Sequence, residues 1–102
     1  MVGLNFDDML SGINIQTGFF GSRGLNLENG LTDVNLNEVE MKRKMVDSCR
    51  QVVSTIDSHK WGKVAAYTFA RLDQINIVVS DKDAPKDLVR QVKKHKIEVM
   101  LV

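Results

Sequence analysis

Residues 75–81 have the sequence INIVVSD, in which five strand-like residues are followed by two polar ones. From Ile75 to Val79 every residue except Asn76 is apolar, so the segment lacks the polar and apolar alternation of a strand with one wet face. Apolar side chains on both faces indicate burial on both faces, which is typical of an inner strand in a parallel sheet. The stretch therefore predicts an α/β protein.

The residues that follow complete a strand, helix and strand order. A helix is predicted to begin at Asp83 or Ala84, with Pro85 near its first position, and to run to a basic end at Lys96. Ile97 to Val102 is predicted to be the last strand. Such an order favours parallel strands joined by a right-handed crossover.

The residues that precede the central strand predict a helix and at least one further strand. Asn35 can cap a helix that starts at Leu36 and carries Glu38 at its third position. Val52 to Asp57 is rich in β-branched residues, which favours a strand. Residues 64–72 fit either a strand or a helix.

The N-terminal third is predicted to hold a short helix, a strand and a loop. The helix spans Asn5 to Ile13, the strand spans Ile15 to Gly21, and the irregular stretch from Gly21 to Asp33 is predicted to be a long loop of the kind that often carries function. The whole pattern predicts a single α/β domain, with a mostly parallel, Rossmann-like sheet and flanking helices.

Composition excludes several classes of protein. The chain has 14 Lys and Arg against 13 Asp and Glu side chains, a net charge of +1, so no strong field favours nucleic acid or an anionic membrane. Its apolar runs are far shorter than the ~20 residues of a membrane helix, and its start does not resemble a signal peptide. With Cys49 as the only cysteine, it fits a reducing compartment. We expect a cytoplasmic protein with no membrane partner.

Three segments are expected at the carboxyl ends of the strands, where open parallel sheets bind ligands. They are residues 21–24, 57–62 and 80–83. Their backbone N–H groups and hydroxyls, together with Arg23 and Lys60, would suit an anionic ligand that carries sugar-like hydroxyls. The alternative is that the glycines only make turns and Lys60 is a surface lysine.

Other chemistries are not supported by the spacing of residues. His59 and His95 are far apart and have no zinc-ligand spacing with each other or with the cysteine. Gly18, Gly21 and Gly24 do not form a dinucleotide fingerprint. We therefore expect neither a metal nor a cofactor.

Three motifs occur in the order and spacing of the DeoR/GlpR family of sugar-metabolism repressors. They are TGFFGSRG at 17–24 with GLT at 30–32, EVEMKRKM at 38–45, and DSHKWG at 57–62 with LDQI at 72–75 and SD at 80–81. They resemble the family patterns Phe-x-Gly-x-x-Gly with Gly-x-Thr, Glu-Ala-x-x-Lys, and Asp-x-Ser-Lys-x-Gly. The resemblance covers residues 2–102 and implies the C-terminal part of an effector-sensing domain, with a fold like that of ribose-5-phosphate isomerase.

The resemblance also implies a function, partners and binding residues. It implies that a phosphorylated sugar binds this region and changes the affinity of the repressor for its operator. Members of the family commonly control phosphotransferase-system sugar genes in this way. Operator DNA would contact a helix-turn-helix domain that, like the first half of the sensor domain, we expect outside residues 1–102, and the full-length protein would be a homo-oligomer. The effector-binding residues so implied are Gly21, Ser22, Arg23, Gly24, Glu40 and Lys60.

Two departures from the family pattern bear on the ligand. Ser22 and Arg23 stand where the family usually has Ala-Asn or Thr-Asn, which would alter ligand choice, and His59 separates Ser58 from Lys60.

We do not expect this protein to be an enzyme. The alternatives are a sugar-phosphate isomerase-like enzyme with Glu40 as base and Lys60 as electrophile, although the carboxylate-rich loop of such enzymes is missing, and a ligand-free dimerisation module.

Overall fold

The computed structural model describes residues 15–102, which fold as an α/β unit. The strands are β1 (Ile15–Phe20), β2 (Gly24–Asn26), β3 (Gly30–Asp33), β4 (Cys49–Thr55), β5 (Tyr67–Ala70), β6 (Ile77–Ser80) and β7 (Glu98–Leu101), and the helices are α1 (Leu36–Ser48) and α2 (Lys86–Lys93). Single turns of 3-10 helix lie at Ser58–Lys60 and Leu72–Gln74. The helix predicted at Asn5 to Ile13 lies outside the described residues.

The main sheet confirms the predicted fold class. It has four strands in the order β1, β4, β6, β7, and every neighbouring pair is parallel. The strand predicted from the INIVVSD stretch is β6, and it lies inside the sheet between β4 and β7. The register pairs Val53 with Ile77 and Val78 with Val99, so equivalent side chains line each face.

A second sheet corrects the prediction of a long loop from Gly21 to Asp33. This stretch contains the antiparallel hairpin of β2 and β3, and β5 from the ambiguous residues 64–72 pairs with β3. The hairpin turns where Asn26 pairs with Gly30, whose φ of 73° is readily adopted by glycine. All four residues of β3 are buried, so the strand has no alternating pattern that periodicity could detect.

Several element ends differ from the predicted ones. The fourth strand begins at Cys49 rather than Val52, because its pairing with β1 extends back to Ile15. Helix α2 ends at Lys93, before the predicted end at Lys96, whose φ of 63° is left-handed and incompatible with a continuing helix. Helix α1 starts at the predicted residue, and the side chain of Asn35 caps it by accepting a hydrogen bond from the Glu38 N–H at 3.1 Å.

The hydrophobic core lies on one face of the main sheet. Phe20 of β1, Val52 of β4 and Val78 of β6 point to this face, and the buried side chains of both helices belong to the same cluster. On the opposite face Phe19 is 70% exposed and Met100 is 48% exposed, whereas Val53 is buried. None of the helices in the described part of the chain has the length and apolarity needed to cross a membrane.

Candidate functional site

The loops after β1, β4 and β6 meet at one edge of the main sheet. These strands are parallel and end at Phe20, Thr55 and Ser80, so the segments that follow them emerge on the same side. This is the carboxyl edge, where ligands bind in open parallel sheets. The structure therefore brings together the three segments that the sequence predicted for a ligand site.

The carboxylate of Asp81 joins the loop after β6 to the loop after β4. Its Oδ2 accepts a hydrogen bond from the Ser58 N–H at 3.0 Å, and its Oδ1 accepts one from the Asp83 N–H at 3.0 Å. The bond from Ser58 is the main reason that the pKa of Asp81 is lowered, and the bond from Asp83 adds to it. The turn at Ser58–Lys60 is further fixed by the Asp57 carboxylate, which accepts from the His59 N–H at 2.9 Å. Lys60 is thus presented from a turn whose first two N–H groups are both bound by carboxylates.

Lys42 of α1 holds the loop after β1. Its Nζ donates to the carbonyl oxygen of Gly21 at 3.0 Å and to Oδ2 of Asp33 at 2.9 Å, and it lies 4.8 Å from the ring centre of Phe69. A cation over an aromatic face adds a further electrostatic attraction. The ammonium therefore fixes the start of the loop that contains the predicted ligand residues 21–24.

Asp33 is a buried carboxylate that remains charged because of its neighbours. Burial alone would raise the pKa of Asp33, but the hydrogen bonds from Lys42 and from the Val34 N–H, with the charges of Lys42 and Arg23, outweigh burial and lower it. The Nε of Arg23 lies 4.0 Å from Oδ1 of Asp33, and the Arg23 side chain is 65% exposed. Arg23 therefore lies beside Asp33 with most of its side chain open to solvent.

Trp61 connects the small antiparallel sheet to the same edge. Its indole Nε1–H donates to the Ser80 hydroxyl at 3.0 Å, and its backbone forms a bridge with Leu25 of β2. The Gly62 N–H also donates to the carbonyl oxygen of Leu25 at 2.7 Å. Because Trp61 directly follows Lys60 and is buried, these contacts tie the Lys60 loop to the hairpin after Gly21.

The structure places the predicted site residues in different surroundings. Gly21 and Arg23 are exposed, Ser22 donates from its hydroxyl to the carbonyl oxygen of Gly24 at 3.2 Å, and Lys60 is half-buried. Gly24 is buried at the start of β2, where a Cβ atom would collide with the carbonyl oxygen of Lys63. Packing is thus a sufficient reason for glycine at this position.

Glu40 stands apart from the other predicted residues. It is exposed on α1, and the helix side chain that contacts the loop after β1 is Lys42. Neither Lys42 nor Asp33 is among the residues predicted to bind the effector. The signal was present in the motif, because Lys42 occupies the lysine position of the Glu-Ala-x-x-Lys pattern. Among the described residues, no three His, Cys, Asp or Glu side chains cluster as a metal ligand set.

Comparison with known proteins gives a consistent family assignment. The family described as the DeoR C terminal sensor domain matches residues 1–82. The chain is 28% identical to the HTH-type transcriptional regulator IolR of Bacillus subtilis and 28% identical to the HTH-type transcriptional regulator GlpR of Haloferax volcanii, each over 98% of this chain, covering 40% and 39% of those proteins. It is 23% identical to the glycerol-3-phosphate regulon repressor of Escherichia coli, over 92% of this chain and 37% of that protein. The chain thus spans about two-fifths of the length of these relatives.

Proposed function

We propose that this chain, which belongs to the family of DeoR C-terminal sensor domains, binds a small phosphorylated sugar at the carboxyl edge of its main sheet. The observation that best supports the proposal is the pair of hydrogen bonds to the Asp81 carboxylate, which fixes the Lys60 turn against the neighbouring loop. Binding there would favour one of two states of the regulator and so change its affinity for operator DNA.

The charges at this edge suit a phosphate. Lys60 is half-buried and has no ion pair in the described part of the chain, so its ammonium can meet a dianion. Arg23 offers a second, mostly exposed cation at the loop after β1. Gly21 and Ser22 would add backbone N–H groups and a hydroxyl to the sugar. In this assignment Gly24 shapes the loop, and Lys42 rather than Glu40 is the α1 side chain that holds it.

The remaining parts of the proposal concern the whole regulator. The curated relatives are named as transcriptional regulators and are longer than this chain. We therefore propose a non-enzymatic sensor segment within a longer homo-oligomeric protein, in which an N-terminal helix-turn-helix domain contacts the operator.

Calorimetry of the intact protein tests the binding site. Glycerol 3-phosphate and glucose 6-phosphate serve as probes, with glycerol and glucose as the matched unphosphorylated compounds. We expect Lys60→Ala to weaken binding of the phosphorylated probe about tenfold or more, because a charge-assisted hydrogen bond is lost. Lys63→Ala removes an exposed lysine three positions away and should change the affinity less than twofold.

The outcomes separate the alternatives. Equal affinity in wild type and Lys60→Ala would contradict the assignment of the phosphate contact. If glycerol and glucose bound as tightly as their phosphates, a site that recognises the phosphate group would be contradicted. Isomerisation of glucose 6-phosphate by the protein would favour an isomerase-like enzyme over a sensor.

A further inference from the structure

A cavity of about 360 Å³ lies between α2 and β7, and none of the residues predicted to bind the effector lines it. Its walls come from the segment after β6, from α2 and from the end of β7. The lining residues are Lys82, Ala84, Lys86, Val89, Arg90, Lys93 and Leu101. A volume of this size lies at the lower end of the range for small-molecule sites.

The cavity has an apolar floor and a cationic rim. Ala84 and Val89 are buried in its floor, and Leu101 is 40% exposed beside them. The four charged lining residues are all cations: Lys82, Lys86, Arg90 and Lys93. Those of the helix follow a spacing of four and then three residues, so they project from one face of α2.

Most of this positive charge is not neutralised within the described part of the chain. Arg90 pairs with the exposed Asp87 at 2.9 Å, but Lys82, Lys86 and Lys93 make no ion pair with a carboxylate of residues 15–102. Like charges at helical spacing repel each other and cost free energy. A bound anion would relieve this repulsion, and the buried floor would favour an apolar group next to the anionic one.

We propose that this cavity is a second ligand site, which takes a small organic anion with an apolar body, such as an organic phosphate or carboxylate. The anionic group contacts the rim of Lys82, Lys86 and Lys93, and the apolar body lies over Val89 and Leu101. Neither Lys60 nor residues 21–24 line this cavity. The two sites share the segment after β6, in which the Asp81 carboxylate accepts a hydrogen bond from the Ser58 N–H and the neighbouring Lys82 lines the cavity.

Calorimetry of the intact protein with phenyl phosphate tests the proposal. We expect saturable binding that Lys86→Glu weakens at least tenfold. Lys94→Glu makes the same change of charge just beyond the end of α2, at an exposed residue that does not line the cavity, and should weaken binding less than threefold. Lys60→Ala should leave the affinity unchanged, which keeps this site distinguishable from the effector site.

Comparing inorganic phosphate, which has no apolar body, with phenyl phosphate measures how much the apolar floor contributes to affinity. We expect it to bind at least tenfold more weakly than phenyl phosphate, and Leu101→Ala should weaken phenyl phosphate but not inorganic phosphate. Equal weakening by Lys86→Glu and Lys94→Glu would overturn the proposal, because it would show a general charge effect. Absence of saturable binding, or its loss in Lys60→Ala, would overturn it as well.

Discussion

The Lys42 ammonium makes three contacts that together set the conformation of the loop after β1. It donates to the Gly21 carbonyl, pairs with the buried Asp33 and lies over the ring of Phe69. The Lys42 side chain is 24% exposed and that of Asp33 is 10% exposed, so solvent screens their attraction only in part. This pair should therefore contribute more to stability than an ion pair on the surface.

Replacing Lys42 by Met tests the strength of this pair. The change keeps an unbranched side chain but leaves the Asp33 carboxylate buried without its main partner. We expect the free energy of unfolding to fall by about 2 kcal/mol, between the values for surface pairs and for fully buried ones. Urea unfolding measures it. Lys94→Met, at an exposed lysine, is the control and should stay within about 0.5 kcal/mol of wild type; equal effects of both changes would contradict the role of Lys42.

The lowered pKa of Asp33 predicts how stability depends on pH. The pKa lies below its ordinary value of 3.8, so the carboxylate stabilises the folded state above about pH 4 and loses this contribution as the pH falls through the folded pKa. We expect wild type to exceed Asp33→Asn in free energy of unfolding by a constant amount from pH 7 to about pH 5, and by less at about pH 3. Urea unfolding across this range gives the difference. A gap that widens towards acid would mean that the pKa is raised.

The hairpin of β2 and β3 depends on a close approach of two backbones. Gly24 is buried where β2 passes the carbonyl oxygen of Lys63, and a Cβ atom at Gly24 would overlap that oxygen. At Gly21, the preceding end of the loop, a Cβ atom would meet nothing within 4 Å. Packing therefore requires a glycine at position 24 but not at position 21.

Alanine substitution at each position tests this difference. We expect Gly24→Ala to lower the free energy of unfolding by about 2–3 kcal/mol, because the backbone of the hairpin must shift. Gly21→Ala should stay within about 1 kcal/mol of wild type, since its φ is not positive and the space is open. Thermal unfolding followed by circular dichroism compares the two. A neutral Gly24→Ala would contradict the packing of β2 against Lys63.

The sequence predicts the regular elements well and the irregular sheet poorly. Helix α1 and strands β6 and β7 were predictable because a cap, a helical period or a continuous apolar run marks each of them. The hairpin was not predicted because β2 and β3 are three and four residues long and mostly buried. The local signal for the hairpin is Asn29-Gly30, a frequent turn pair that lies inside the stretch predicted to be a long loop.

At the scale of the whole molecule, the candidate site follows from topology more than from any one residue. Parallel strands place the segments after β1, β4 and β6 at one edge, and this much was predictable from the order of elements. The contacts that join these segments were not predictable, because Lys42, Asp33 and Asp81 meet partners that are distant in sequence. Periodicity shows which face of an element is apolar, but it does not show which polar groups will pair.

Adjacent phenylalanines of β1 point to opposite faces of the main sheet and differ greatly in burial. Phe20 is 3% exposed in the core, whereas Phe19 is 70% exposed on the opposite face. We expect Phe20→Ala to lower the free energy of unfolding by about 3–5 kcal/mol through loss of buried contacts. Phe19→Ala should cost less than about 1 kcal/mol, because its side chain gains little from folding. Urea unfolding of the two variants makes the comparison, and equal losses would contradict the exposed position of Phe19.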